Sequence, residues 1–343
     1  MQNIITIYEE LNSNVKFTVA LPIYNSKKIA WISLESLIRQ ENINFDWELI
    51  VYEEIHSESV CPEILEEYKE RLVDINCKKI IYITKEGRPS LLDKWIKIAS
   101  HASKTSEAYL LHAADCYSPK NRLKKSYEVI VEKDYDWYDQ KKGYFYSFIS
   151  DNIILYNFNG LTNLNMCTKT KYIKTLPNSS LKKGIDGYIY NHLKKNANGI
   201  IKHFKDTNLY LDSVDTHGFN NISKSRENFF YTKPDIFTIT NLELKDLSLP
   251  NEINEKLLKL TEYKQLQLNE TEVSVLTNEN ILQPKVENKN ILQPKIKIKK
   301  KYNKVVNQIP QNSTQHNMTK NIVNKLASQN NNKGVSPAGK ISI

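Results

Sequence analysis

Between residues 17 and 112 the chain alternates four short apolar runs of strand length with stretches of helical spacing. Phe17–Leu21 (FTVAL) is apolar almost throughout and runs into Pro22. Ala30, Leu34, Leu37 and Ile38 then recur at intervals that put them on one helix face, with Trp31 beside them. Trp47–Tyr52 (WELIVY), Lys79–Thr84 (KIIYIT) and Ala108–His112 (AYLLH) read as the next strands, separated by helical Pro62–Val73 and Leu91–Ala102. Strands alternating with helices of this length build βαβ units, and their continuous apolar runs suit a sheet covered on both faces. The pattern predicts an α/β fold with a mostly parallel sheet flanked by helices. Ligands of such sheets collect outside the carboxyl ends of the strands. Tyr24-Asn25, Glu53-Glu54, Lys85 to Arg88 and Asp115 all fall there.

From about 121 to 223 the sequence is less regular and rich in Tyr and Asn. Its readable pieces are an aromatic segment at Tyr135–Phe148, strand-like Asn152–Tyr156, helical Ile185–Leu193 and strand-like Leu209–Leu211 ahead of a polar loop. We expect one domain over 1–240. Residues 241–343 read as a linker, a short helix at Pro250–Leu266 and a basic, largely disordered low-complexity tail. The tail includes the repeated hexapeptide NILQPK at 280–285 and 290–295, two copies being too few for a solenoid. Charge follows the same division. Ten of the 48 basic residues are lysines from 295 onward, where there is no acid, so 38 bases face 39 acids in the rest. A basic tail suits a polyanion, nucleic acid or a membrane surface, although solvated disorder is the plainer reading.

Cys61, Cys77, Cys116 and Cys167 form no CxxC pair, which argues against a disulfide framework or a zinc site and for a reducing compartment. No apolar run approaches the roughly 20 residues of a transmembrane helix, and the N-terminus lacks a signal-peptide pattern. The expectation is a cytoplasmic protein with no transmembrane segment.

Three stretches taken together carry a resemblance: Phe17–Asn25 with its Pro-x-Tyr-Asn turn, Ala113-Ala114-Asp115-Cys116 after the fourth strand, and His217-Gly-Phe-Asn-Asn-Ile-Ser223. They resemble the family 2 glycosyltransferases of the GT-A fold, over about residues 15–225. The resemblance implies a Rossmann-like sheet with a nucleotide-sugar half over about 15–123 and an acceptor half over about 124–230. It implies a UDP-sugar donor and a glycan, protein or other hydroxyl-bearing acceptor. In the family's Asp-x-Asp motif the first carboxylate is here Ala113, and Asp115 matches the second, the usual metal ligand. Asp115 and His217 would hold Mn2+ or Mg2+ against the donor diphosphate. Pro22, Tyr24, Asn25 and Glu53 would hold the nucleoside, although Glu-Glu-Ile-His stands where the family shows two aspartates and Gly-Ser. Gly87, Arg88, Asp93 and Lys94 occupy the family's Asn-x-Gly loop and following helix, and Ala114 adjoins the motif. Asp186, in Gly184-Ile-Asp-Gly187, would be the general base of an inverting displacement.

Each motif also has a plainer reading. Glu53 and Glu54 suit a solvated strand end, and Lys94 an exposed helix position. Ser118 and Pro119 suit the N-cap and first turn of a helix. Asp186 suits the positive end of a helix dipole. Tyr135, Trp137, Tyr144 and Tyr146 read equally as a sugar-stacking platform or a tyrosine-rich core. The second reading of the whole chain is a catalytically degraded GT-A-like module whose basic tail docks on nucleic acid or another polyanion.

Overall fold

A computed structural model describes residues 2–54, 62–87, 89–159, 166–179, 181, 184–219, 230 and 232–281, with side chains as far as 267. The chain divides into two units, Met1–Leu282 and Gln283–Ile343. The second, with most of the expected basic tail, lies outside the described residues.

In chain order the strands are β1 (Gln2–Glu9), β2 (Phe17–Ile23), β3 (Trp47–Glu54), β4 (Cys77–Lys85), β5 (Ala108–Leu111), β6 (Cys116–Tyr117), β7 (Trp137–Gln140), β8 (Lys142–Ser147), β9 (Ile153–Asn157), β10 (Cys167–Lys169), β11 (His203–Asp206), β12 (Val214–His217) and β13 (Phe237–Ile239). The helices are α1 (Ala30–Ile38), α2 (Pro62–Asp74), α3 (Leu91–His101), α4 (Arg122–Tyr127), α5 (Thr170–Lys174), α6 (Ile185–Asn196) and α7 (Asn251–Ile281).

An eight-stranded sheet runs β1-β4-β3-β2-β5-β10-β7-β11. Its centre, β4-β3-β2-β5, is parallel. Counted from β2, that centre has the order 3-2-1-4 of a doubly wound fold, whose direction of winding reverses between β2 and β5. Antiparallel β1 and β10 border it. The expected mostly parallel sheet flanked by helices is what forms. Alternation along the strands divides the core: Phe17, Val19, Leu21 and Ile23 face α1 and α2 on one side. Ala20, Ile50 and Tyr52 face α3, α5 and α6 on the other. Pro22 is tolerated in this central strand because pairing with β5 ends at Ala20, before the missing amide.

The irregular second half holds a second sheet, β13-β9-β8-β12-β6, that periodicity did not reveal. Leu209–Leu211, expected as a strand, is coil and turn, and the strand lies instead at Val214–His217. Strand β1 was likewise not anticipated: it is an edge strand with most of its residues exposed, so it lacks the apolar run of its neighbours. Past residue 240 the chain packs on the second sheet, through Leu244, Leu247, Leu249, Ile253 and Leu257. Helix α7 continues well past the expected Leu266.

Candidate functional site

Strand β2 delivers Tyr24 and Asn25 to the top of the sheet. Asn25 adopts a left-handed φ of 48°, which Asn tolerates better than most residues and which turns the chain sharply there. Its Oδ1 is buried and has no hydrogen-bond partner among the described residues, the kind of acceptor a ligand donor would satisfy. Tyr24 is exposed, and the Lys94 ammonium lies 5.4 Å from its ring centroid.

Strand β3 ends in two carboxylates that are buried, not solvated. Glu53 accepts a short hydrogen bond from the Tyr82 hydroxyl. Glu54 Oε2 lies 2.9 Å from Lys94 Nζ, and Lys94 also donates to the Ile23 carbonyl at 3.2 Å. Lys94 is therefore a buried tie between β2, β3 and α3 and not an exposed helix residue. Burial holds its ammonium below the ordinary range, against the opposite pull of Glu54 and Glu53. Asp93 closes a capping box at the start of α3: its Oδ2 accepts from the Ser90 amide, and Ser90 Oγ accepts from the Asp93 amide, each at 3.1 Å. One side-chain oxygen is thus occupied by the helix start. Gly87 has φ 97° and open space where a Cβ would stand. Arg88 lies outside the described residues, as do Ile55 and His56.

After β5 the chain turns through exposed Ala113 and buried Ala114 to Asp115, then enters β6. The pairing of β6 with β12 places Cys116 opposite Asp215. The Asp115 carbonyl accepts from the Thr216 amide at 3.0 Å and the Thr216 hydroxyl at 2.9 Å. His217 is the next residue, partly exposed at the end of β12, with the Phe230 ring 4.9 Å away edge to face. The main chain at Asp115 and the strand that ends in His217, 102 positions apart in sequence, are thus joined by hydrogen bonds. Among the described residues no group of three or more His, Cys, Asp or Glu side chains gathers as a metal site. A cation held by Asp115 and His217 would have to complete its shell with donor phosphate oxygens and water.

Two further residues, Asp215 and Arg122, are not among those the sequence singles out. Burial pushes the Asp215 carboxyl up to about 7; the Asp115 charge adds to this, and the Cys116 hydrogen bond and the Arg122 charge oppose it. Arg122 is 1% exposed, and none of its guanidinium nitrogens has a hydrogen-bond partner among the described residues. Its guanidinium carbon lies 6.0 Å from the ring centroid of Tyr138. Burial and Arg122 together hold the His112 imidazole down to about 3. Cys116 is buried, and burial raises its thiol well above its ordinary value, with Asp215 and Asp115 contributing, so it offers no ready thiolate. Helix α4 begins at Arg122 and not at Pro119; Ser118 instead lies 3.5 Å from His112 Nδ1.

Asp186 sits in the first turn of α6, which follows Gly184 at φ 65°. Helix α6 packs Ile185, Ile189 and Leu193 on the sheet face that carries α3. The four aromatics do not form one platform. Trp137 is fully buried against that face, whereas Tyr144 and Tyr146 lie in the core of the second sheet.

No protein-family description and no curated protein matches the sequence. Solved structures do. S. aureus TarS is 17% identical over 71% of this chain and 43% of its own, with a TM-score of 0.44. The chain thus spans less than half of that protein. TarS residues 1–349 in complex with UDP-GlcNAc give 18% identity, 72% coverage of each chain and a TM-score of 0.43. The mannosyltransferase PcManGT from Pyrobaculum calidifontis, in complex with GDP-Man and Mn2+, gives 11% identity over 78% of this chain and 80% of its own, with a TM-score of 0.43. No helix among the described residues is long and apolar enough to cross a membrane.

Proposed function

We propose that this chain is a glycosyltransferase that takes a sugar from a nucleotide sugar, a UDP-sugar, and passes it to an acceptor hydroxyl with inversion. The observation that carries the reading is the β6–β12 pairing, which sets Asp115 beside the strand that ends in His217. It does so just past β5, where the winding of the sheet reverses and such folds bind ligands. Residues 15–123 form the donor half and 124–230 the acceptor half.

In this reading Tyr24 offers an exposed ring to the base, and Asn25 Oδ1 accepts from the nucleoside. Glu53 and Glu54 stand behind them, held by Tyr82 and Lys94. Pro22, Gly87, Asp93 and Ala114 complete the donor wall, and Arg88, outside the described residues, is assigned to the donor by the sequence resemblance alone. Mn2+ or Mg2+ held by Asp115 and His217 would supply positive charge against the departing diphosphate. Asp186 takes the proton of the acceptor hydroxyl as the new bond forms.

One observation favours the alternative of donor binding without turnover. Ala113 offers only a methyl group at the exposed position of the motif's first carboxylate. There the function would pass to the basic tail, docked on nucleic acid or another polyanion. Thermal unfolding with a panel of nucleotide sugars, with and without Mn2+, tests both. A ligand that binds only the native state raises the midpoint according to its concentration relative to Kd. A rise with turnover supports the transferase; a rise without turnover, or no rise with any member, overturns it and leaves the degraded module with its function in the basic tail.

A further inference from the structure

Helix α7 lies far along the chain from both donor-site loops, yet two consecutive residues on it reach one loop each. Lys264 Nζ donates to the Phe219 carbonyl at 2.6 Å and stands 5.5 Å from the Phe219 ring centroid. Lys264 is only 4% exposed. Phe219 lies two residues beyond His217, in a loop fixed on its other side by the Phe148 amide, which donates to the His217 carbonyl at 3.0 Å. Tyr263 reaches the other loop. Its hydroxyl accepts from Lys28 Nζ at 2.5 Å, and the same ammonium lies 4.1 Å from its ring centroid. Lys28 belongs to the short segment that joins the Tyr24-Asn25 turn to α1.

The helix itself is seated firmly enough to hold both. Ile253 and Leu257 are fully buried in the core of the second sheet, beside Ile29 and Ile32 of the α1 region. Thr261 Oγ1 meets the Tyr146 hydroxyl at 2.5 Å, and Glu252 pairs with Arg39 at the end of α1. A leucine at 264 would cover the Phe219 ring without burying a charge. An ammonium there costs desolvation, and burial indeed holds it below its ordinary range. What the charge offers in return is a directed bond to one loop carbonyl.

We infer that Tyr263 and Lys264 form a clamp that fixes the spacing between the Tyr24–Lys28 loop and the His217–Phe219 loop, making Lys264 a positioning residue for the donor site. The inference rests on the proposed donor site for its functional meaning and on geometry alone for its mechanical one.

Full-length chain and its Lys264→Met, Lys264→Arg and Tyr263→Phe variants test it by amide hydrogen exchange without ligand and by calorimetric titration with UDP-sugars. Lys264→Met is expected to speed exchange at 217–219 about tenfold and weaken donor binding about tenfold, while amides 80–83 of β4 keep their protection. Lys264→Arg restores both, and Tyr263→Phe loosens 24–29 alone. Unchanged exchange at both loops in Lys264→Met overturns the clamp. So does a loss of protection that includes 80–83 and is shared by Lys264→Arg, since that marks general destabilisation. If the parent protein binds no nucleotide sugar, the functional reading falls while the exchange data still decide the clamp.

Discussion

Lys94 Nζ lies 2.9 Å from Glu54 Oε2, with both side chains almost sealed from water, so the carboxyl end of β3 is tied electrostatically to the first turn of α3. Removing one member of such a pair leaves the other charged and buried. Lys94→Met should cost about 3–5 kcal/mol of stability in urea unfolding. Lys94→Met combined with Glu54→Leu should recover most of that loss. A double variant as unstable as the single one would show that packing, not the charge, holds the two elements together.

Two buried groups near Asp115 should give opposite slopes of stability against pH. His112 ordinarily titrates at 6.5 and is held to about 3, so the unfolded chain binds the extra proton between those values. Its contribution is lost as pH falls below 6.5. Asp215 is raised from 3.8 to about 7, so here the native chain binds the extra proton, and stability falls as pH rises from about 4 to 7. Each slope approaches about 1.4 kcal/mol per pH unit where it is fully developed. In chelator-treated buffer, Asp215→Asn should leave stability rising with pH up to 6.5, and His112→Asn should leave it declining toward 7. The parent should be nearly flat between 4 and 6.5. Identical profiles for the two variants would contradict this assignment.

Ala113 and Asp115 make the metal reading testable from both directions. Asp115→Asn should remove the Mn2+-dependent part of nucleotide-sugar binding in calorimetry. Ala113→Asp, which restores a second exposed carboxylate to the turn, should tighten Mn2+ binding in the presence of donor by about tenfold, or 1.4 kcal/mol. Equal Mn2+ response in parent, Asp115→Asn and Ala113→Asp would remove the metal from the proposal.

Gly218 separates loop geometry from loop chemistry. Its φ is 87°, and an added Cβ would approach Ile149 Cγ1 to 2.8 Å, so Gly218→Ala meets both backbone strain and a packed side chain. We expect a loss of about 2–3 kcal/mol in thermal or urea unfolding, together with weaker donor binding. Gly187 has no such φ and nothing within 4 Å of a built Cβ, so Gly187→Ala in α6 should be neutral or stabilise by up to about 1 kcal/mol.

The central sheet was legible because Phe17–Leu21, Trp47–Tyr52 and Lys79–Thr84 contribute to the core on both faces and are therefore mostly apolar, with Thr18 and Glu48 as buried polar exceptions. The second sheet was not. Lys142–Ser147 (KGYFYS) and Val214–His217 (VDTH) mix polar and aromatic residues, and their partners are set by tertiary contacts and not by local pattern. Glu53 and Glu54 were legible as acids at a strand end but not as buried ones, because the lysine that compensates Glu54 comes from position 94. Asp215 could have been noticed as a carboxylate two residues before His217. Nothing local distinguishes Arg122, whose buried surroundings come from distant positions, Tyr138, Cys167 and Asp215 among them. Asp186 stands at a helix start, as either of its two readings requires.

The Thr216 hydroxyl reaches the Asp115 carbonyl across 101 positions of sequence. Contacts of such separation form late, since the loop must close before any of its bonds can compensate the lost entropy. During synthesis the parallel strands β2 to β5 would therefore be complete and able to pair well before β12 leaves the ribosome. For that interval the chain would have a sheet but an unfinished site. A stall or truncation ahead of residue 214 would leave the central strands without His217 and without the β6–β12 pairing that fixes Asp115.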